Sequence, residues 1–329
     1  MKRARRRFPR LGILGTTLAA VVLVALSSNA AWSQSRTIRL VDPDPPGGLA
    51  DLLARILAEE ISRAQGVTIV VENRAGAASA IGTEAVARAA PDGTTLLLNA
   101  TPFVINPLLR KLNYDPLRSF APICYLVNSP TVIAVNAASP YRTLADLINA
   151  AREKPGELTL ASIGPGTATH IAFEMLRSAA NIDMTFVPYP GTAPAVTALL
   201  GGHVTSYFGI YSVVSEQVKA GSLRALATAA PARIDLLPDV PTVAEAGVPE
   251  YQYYVWFGLW APKNTPQPIV DKLHAAVVKA LADPTLQQRL AAVAGEPFDM
   301  PLADITPFVK TEIAKWADVV KRGGVKVEQ

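Results

Sequence analysis

Cysteine occurs once in this chain, at Cys124, inside the apolar run Ile123-Cys124-Tyr125-Leu126-Val127. One cysteine excludes an intrachain disulfide, and its setting suits an inert buried thiol rather than a nucleophile. Histidine is nearly as scarce: His170, His203 and His274. His170 and Glu174 share a helix face at a spacing of four, yet no further ligands lie near them in sequence, so no metal site and no cofactor is expected. His203 ends a helix, where its charge suits the dipole, and His274 lies on a late polar-faced helix. The motifs G-x-x-x-x-G-K-[ST], G-x-S-x-G and H-E-x-x-H are all missing. Gly164-Pro165-Gly166-Thr167-Ala168-Thr169 approaches G-x-G-x-x-G, but Thr169 stands where the third glycine belongs. No strand-end acid follows at the expected spacing, which argues against a dinucleotide. Ser162 has no visible base at a defined spacing, so nucleophilic catalysis is unsupported.

Acidic residues are absent from residues 1–33, which carry Lys2, Arg3, Arg5, Arg6, Arg7 and Arg10. Leu11 to Leu26 follows without a charge, then Ser28-Asn29-Ala30. The order of basic, apolar and small residues reads as an export signal over 1–33, by the general or the twin-arginine route. Those six cations belong to a total of 31 Lys and Arg; without them 25 face 27 acids, a net charge of about −2 in place of +4. The basic balance therefore gives no case for nucleic acid.

What is present is a repeated grammar of short strand, Gly/Pro loop and helix start. Leu158 to Ser162 leads through Ile163-Gly164-Pro165-Gly166-Thr167 into a helix over Ala168 to Ala180. Met184 to Val187 leads through Pro188-Tyr189-Pro190-Gly191-Thr192 into a helix over Ala193 to Leu200. Arg39-Leu40-Val41 leads through Pro43-Asp44-Pro45-Pro46-Gly47-Gly48 into a helix from about Ala50. Thr68 to Val71 leads through Asn73-Arg74-Ala75-Gly76-Ala77 into a helix from about Ser79. This alternation is the α/β signature. Helix N-termini at strand C-termini offer unpaired N–H groups and partial positive charge, suited to an anionic or polar small molecule. The helix over 50–64 turns Leu53, Ile56, Leu57 and Ile61 inward, leaving Asp51, Arg55, Glu59 and Glu60 for the outer side. Asp51 suits the dipole and the free N–H groups of that helix start.

Phe120 to Val135 and Val255 to Pro262 read as crossings between two units. One domain is then discontinuous, 35–122 plus 258–329, with 123–257 inserted. Each domain owns two loops, and a cleft between them is the expected ligand site.

These residues resemble the periplasmic solute-binding proteins of tripartite tricarboxylate transporters, the Bug-type family. The matching motifs, in order, begin with Pro46-Gly47-Gly48-x-x-Asp51-x-x-Ala54-Arg55 and Glu72-Asn73-Arg74-x-Gly76-Ala77. They continue with Ser162-x-Gly164-x-Gly166-Thr167-x-x-His170 and Val187-Pro188-Tyr189-x-Gly191-x-Ala193-Pro194, and end with Leu237-Pro238-Asp239-Val240-Pro241-Thr242-x-x-Glu245-Ala246-Gly247. The resemblance implies a two-domain, flytrap-like type II binding protein, not an enzyme, expected to be a monomer. It implies a small mono- or dicarboxylic or aromatic acid, or its amide, as ligand and a membrane permease as partner. Ligand-binding residues are then Asp44, Pro46, Gly47 and Gly48 in the first loop, and Gly76, Ala77 and Ser79 in the second. Ser162, Gly166 and Thr167 serve in the third, with His170 as support, and Tyr189, Gly191, Thr192 and Ala193 in the fourth. The chain departs from the family at Asp42 and Asp44, where apolar or aromatic residues are usual. It departs also at Ala75-Gly76-Ala77-Ala78-Ser79, where Pro-Gly-Ala-Gly-Gly is common, and at Thr205 and Gly209, where acids are usual. An Asp44 facing the cleft would repel a second carboxylate. Two alternatives are a sensory partner that presents ligand to a membrane receptor, and an exported α/β hydrolase or lyase using Ser162 or His170.

Overall fold

The structure, a computed structural model, describes residues 37–164, 167–293 and 295–323. The export-signal reading of 1–33 and the candidate Gly166 lie outside them. The first half runs β1 (Thr37–Asp42), α1 (Leu49–Gln65), β2 (Thr68–Asn73), α2 (Ala80–Ala87), β3 (Thr95–Ala100) and α3 (Pro102–Leu109). A long strand β4 (Phe120–Asn136) then leads to α4 (Leu144–Glu153), β5 (Thr159–Ile163), α5 (Ala168–Ala180), β6 (Thr185–Tyr189), α6 (Thr192–Leu200), β7 (Ser206–Ile210), α7 (Tyr211–Lys219) and β8 (Leu223–Thr228). The chain returns through β9 (Tyr254–Pro262), α8 (Gln267–Leu281), α9 (Pro284–Ala292), β10 (Glu296–Pro297) and α10 (Leu302–Gly323).

Apolar periodicity makes these helices cover a sheet. On α1, Leu53, Ile56, Leu57 and Ile61 are all buried, as their three- and four-residue spacing dictates. Asp51 and Glu60 are buried too, against the expectation of an outer position. Each has partners that offset its desolvation: Asp51 holds Gly47 N and Arg55, and Glu60 holds Arg289. Asp283-Pro284, which reads as punctuation in sequence, opens α9. Asp283 Oδ1 accepts from Thr285 N at 2.8 Å, and a proline in the first helical turn loses no helical hydrogen bond.

The strands form one sheet in the order β2-β1-β3-β9-β4-β7-β5-β6, with β8 and β10 also on β4. Strand β4 changes partners along its length. Phe120–Pro130 pairs with β9, whereas Thr131–Ala134 pairs with β7 and Val132–Asn136 with β8. Strands β1, β2 and β3 are mutually parallel and antiparallel to β9, so they run in the sense of β4. Strands β5, β6 and β7 are mutually parallel and run against β4. The C-terminal ends of the two parallel sets therefore point toward each other. Ala100 at the end of β3 is level with Val127 through Phe257, and Ile210 at the end of β7 is level with Thr131. Four residue steps of β4 separate them, about 13 Å at strand rise. A second apolar cluster under α6 and α7 includes Ala195, Leu199, Tyr207 and Val214, and α10 packs against both α3 and α5.

Candidate ligand-binding cleft

The first two loops form one unit. Arg74 N donates to Asp42 O at 2.8 Å, Asn73 Nδ2 to Asp42 Oδ2 at 3.0 Å, and Ser79 Oγ to Asp44 Oδ1 at 2.5 Å. Asp42 is fully buried and its Oδ1 also accepts Asp44 N at 3.0 Å. Burial pushes its carboxyl up to about 7, with the neighbouring Asp44 and Asp51 charges adding to the shift. Asp44 is half-buried. Burial raises its carboxyl as well, opposed by the Ser79 hydroxyl. Asp51 moves the other way: Arg55 beside it holds the carboxyl below its ordinary value. Pro46, Gly47, Gly48 and Ala77 are exposed here, while Gly76 is half-buried and Ser79 is buried.

The second loop carries a run of left-handed backbone. Gly76, Ala77, Ala78 and Ser79 have φ of 137°, 48°, 51° and 75°. Three of these lack the freedom of glycine, and such residues persist only where their surroundings hold them. The carbonyl of Ala77 accepts from Arg110 at 3.3 Å, that of Ala78 from Asn106, and that of Ser79 from Thr83 at 2.7 Å. Gly82 sits behind both loops. A Cβ there would lie 2.8 Å from Arg74 O and from Pro43 Cβ, and 2.9 Å from Pro43 Cα. Gly82→Ala must push the loops apart. It is expected to cost about 1–3 kcal/mol, read as a lower Tm, with weakened ligand binding. An unchanged Tm would show that the loops yield freely.

The third and fourth loops are joined by Gly164 N donating to Tyr189 O at 3.1 Å. Thr167 is the N-cap of α5. Its hydroxyl donates toward Gly164 O at 2.9 Å and accepts from His170 N at 3.4 Å. Gly191 caps α6, and neither α5 nor α6 has an acid in its first turn. Tyr189, Gly191 and Thr192 are half-buried, and Ala193 is exposed. Ser162 points elsewhere: it is buried and its Oγ donates to Phe208 O at 2.8 Å, bracing β5 on β7. His170 lies half-buried with its ring 4.3 Å from that of Phe186 and Nε2 3.7 Å from Glu174 Oε1. Burial, with Arg177 nearby, lowers its pKa. Cys124 is buried, its thiol pushed up to about 12 by burial.

Two strand ends escaped the sequence reading. The end of β3 brings Asn99 and Thr101, both buried, to the rim of the first unit, and Thr101-Pro102 is a cap-and-proline signal that could have revealed α3. The end of β7 brings Gly209 to the second unit. The Tyr207 hydroxyl occupies the space that a Cβ at Gly209 would take, and it is buried without a partner among the described residues. A cavity of about 240 Å³ lies beside the seam, lined by Asn128, Pro130, Arg233, Asp235, Tyr254 and Glu296, and shares no residue with the four loops.

Paired βα loops facing across a shared strand define a solute-binding fold. The chain belongs to the tripartite tricarboxylate transporter family of receptors, whose profile matches residues 53–325. These are periplasmic solute-binding proteins rather than enzymes. The chain is 34% identical over 323 residues to BugT of Bordetella pertussis, covering 97% of this chain and 98% of that one. Two solved structures from Rhodopseudomonas palustris are similar. Rpa4515 with adipate has a TM-score of 0.83 at 32% identity, covering 90% of this chain and 100% of that one. MatC with bound malate has a TM-score of 0.77 at 32% identity, covering 87% and 99%. The Bug-type resemblance and the α/β binding-protein fold read from sequence are thus both borne out. Among the described residues, no helix is long and apolar enough to cross a membrane.

Proposed function

We propose that this receptor binds a small carboxylate, or its amide, between two lobes and delivers it to a membrane permease. The lobes follow the discontinuous and inserted units read from sequence, with the boundary taken at the partner change of β4, so that 123–130 and 254–257 go with the first lobe. They hinge where β4 changes partners at Pro130–Thr131 and where the chain re-enters the first sheet half at Tyr253–Tyr254. The carrying observation is the convergence of two sets of strand C-termini on the middle of β4. It supports a site in which the Gly191 and Thr167 helix starts face the Gly47–Ser79 loops. The amides of α5 and α6 hold a ligand carboxylate, with waters bridging the remaining polar groups. Relatives of this fold hold adipate and malate, which supports a carboxylate as ligand. Residues 1–33 direct the chain to the periplasm, where it acts as a monomer.

Catalysis finds no footing in this site. The Ser162 hydroxyl is bonded to a backbone carbonyl, and the His170 ring rests on Phe186. Calorimetric titration with a panel of mono-, di- and aromatic carboxylates and their amides tests the reading. Saturable one-to-one binding of at least one is expected, weakened by Gly191→Val at the α6 start. A panel without any binding, in a protein that melts cooperatively, would overturn it. Uptake by cells carrying the receptor together with its permease would separate transport from ligand presentation to a sensor.

A further inference from the structure

The four helix starts are not equivalent. In the first lobe the chain's own carboxylates stand beside them, without capping their amides. Asp51 Oδ2 accepts Gly47 N at the start of α1. Asp44 Oδ1 takes the hydroxyl of Ser79, the N-cap residue of α2. Asp42 lies directly beneath, between Asp44 N and Asn73. The neighbouring cations are engaged: Arg55 is bound to Asp51 and Asn73, and Arg74 to Glu72. In the second lobe, α5 and α6 start with a threonine cap and a glycine cap and no acid. One side of the cleft thus carries helix ends with no acid beside them, that of α5 capped by the Thr167 hydroxyl. The other presents a half-buried carboxylate whose Oδ2 has no partner among the described residues. A half-buried carboxylate with no cation beside it favours an incoming positive group over a second anion.

We propose that the cleft is electrically polar and takes a ligand with a carboxylate at one end and an ammonium group at the other, with Asp44 as the residue that selects the ammonium end. This rests on the carboxylate-receptor reading above. The α5 and α6 starts hold the ligand carboxylate, and Asp44 Oδ2 receives the N–H donors. Ser79 fixes the Asp44 rotamer. Ser79 itself sits at φ 75°, in the left-handed region. A second ligand carboxylate in the same place would meet Asp44 across a short distance in a low-dielectric cleft.

Titration calorimetry at neutral pH with length-matched pairs tests this. The pairs are 3-aminopropanoate and succinate, 4-aminobutanoate and glutarate, and 5-aminopentanoate and adipate, with malate alongside. The amino acid of any pair that binds is expected to bind at least ~10-fold tighter than its diacid, and Asp44→Asn to erase that preference. Should Asp44→Asn not fold, Ser79→Gly serves, since it frees the Asp44 rotamer and should shrink the preference. A diacid that binds as tightly as its amino acid partner, or a preference that survives both substitutions, overturns the polar cleft and leaves the receptor reading standing. Should neither series nor malate nor any panel acid bind, both fall together.

Discussion

Glu312→Ala is expected to destabilise the protein by about 3–5 kcal/mol. Glu312 Oε2 accepts the indole N–H of Trp256 and that of Trp316, each at 3.0 Å. Both tryptophans are fully buried, and Glu312 itself is 6% exposed. Its second oxygen faces Lys315 Nζ at 3.4 Å. Truncation leaves two buried donors without acceptors, each costing about 1–3 kcal/mol, and opens space beside two large rings. Glu312→Gln keeps an acceptor oxygen and is expected to lose far less. The location gives the bond its wider consequence. Trp256 belongs to β9 close to the crossing at Tyr253–Tyr254, whereas Trp316 belongs to α10, which also packs against α5 in the second lobe. The ring of Tyr253 meets that of Trp316 edge-on, with centroids 5.7 Å apart. Glu312 therefore ties α10 to β9 close to the proposed hinge. Urea denaturation of the wild type and the two variants measures the effect. A loss below about 1 kcal/mol for the alanine variant would show that water reaches and satisfies the indoles.

The loops and their helices were legible because their signals are local. Apolar spacing fixed the inner face of α1, and the Gly/Pro clusters marked strand ends that the structure places as two hydrogen-bonded pairs. Thr143 reads as a cap, and it does accept Asp146 N in a reciprocal capping box. The second-lobe helix start at Ala168 also agrees with its cap at Thr167. What escaped depends on contacts through space. No local rule reveals that Ser79 reaches Asp44, 35 positions away, or that Tyr207 folds over Gly209. The burial of Asp42 was hidden because an aspartate at a strand end before a proline reads as a turn residue. Only the pairing of β1 with β2 puts Asn73 beside it and lets the fold enclose its carboxyl. Ser162 shows the converse: its place after a strand and before a Gly/Pro loop suggested a donor for ligand. The neighbouring strand β7 supplies the Phe208 carbonyl that takes its hydrogen.

The enclosed carboxyl of Asp42 makes stability depend on pH in a definite direction. Its pKa rises from 3.8 to about 7 in the fold, chiefly through burial. Between those values the folded chain retains a proton that the unfolded chain has lost, so raising the pH through this window weakens the fold. The stabilising difference is fully present below about pH 4 and gone above about pH 7. A shift of that size corresponds to on the order of 4 kcal/mol, a net value that already contains the opposing Asp44 amide. Comparison with Asp42→Asn isolates it, because the other titrating groups are common to both proteins. The stability of the variant relative to wild type should increase by about 4 kcal/mol from pH 4 to pH 8, measured by denaturant titration at each pH. A difference that stays flat would show that Asp42 is ionised in the fold throughout. Asp44→Asn removes one of the charges that raise the pKa of Asp42, so it should move the window to lower pH. An ammonium-bearing ligand at Asp44 should do the same. Binding near pH 6.5 would then release protons, and calorimetric heats would vary with the ionisation enthalpy of the buffer. Heats that are the same in phosphate and Tris would mean that the ligand leaves both carboxyls as they were.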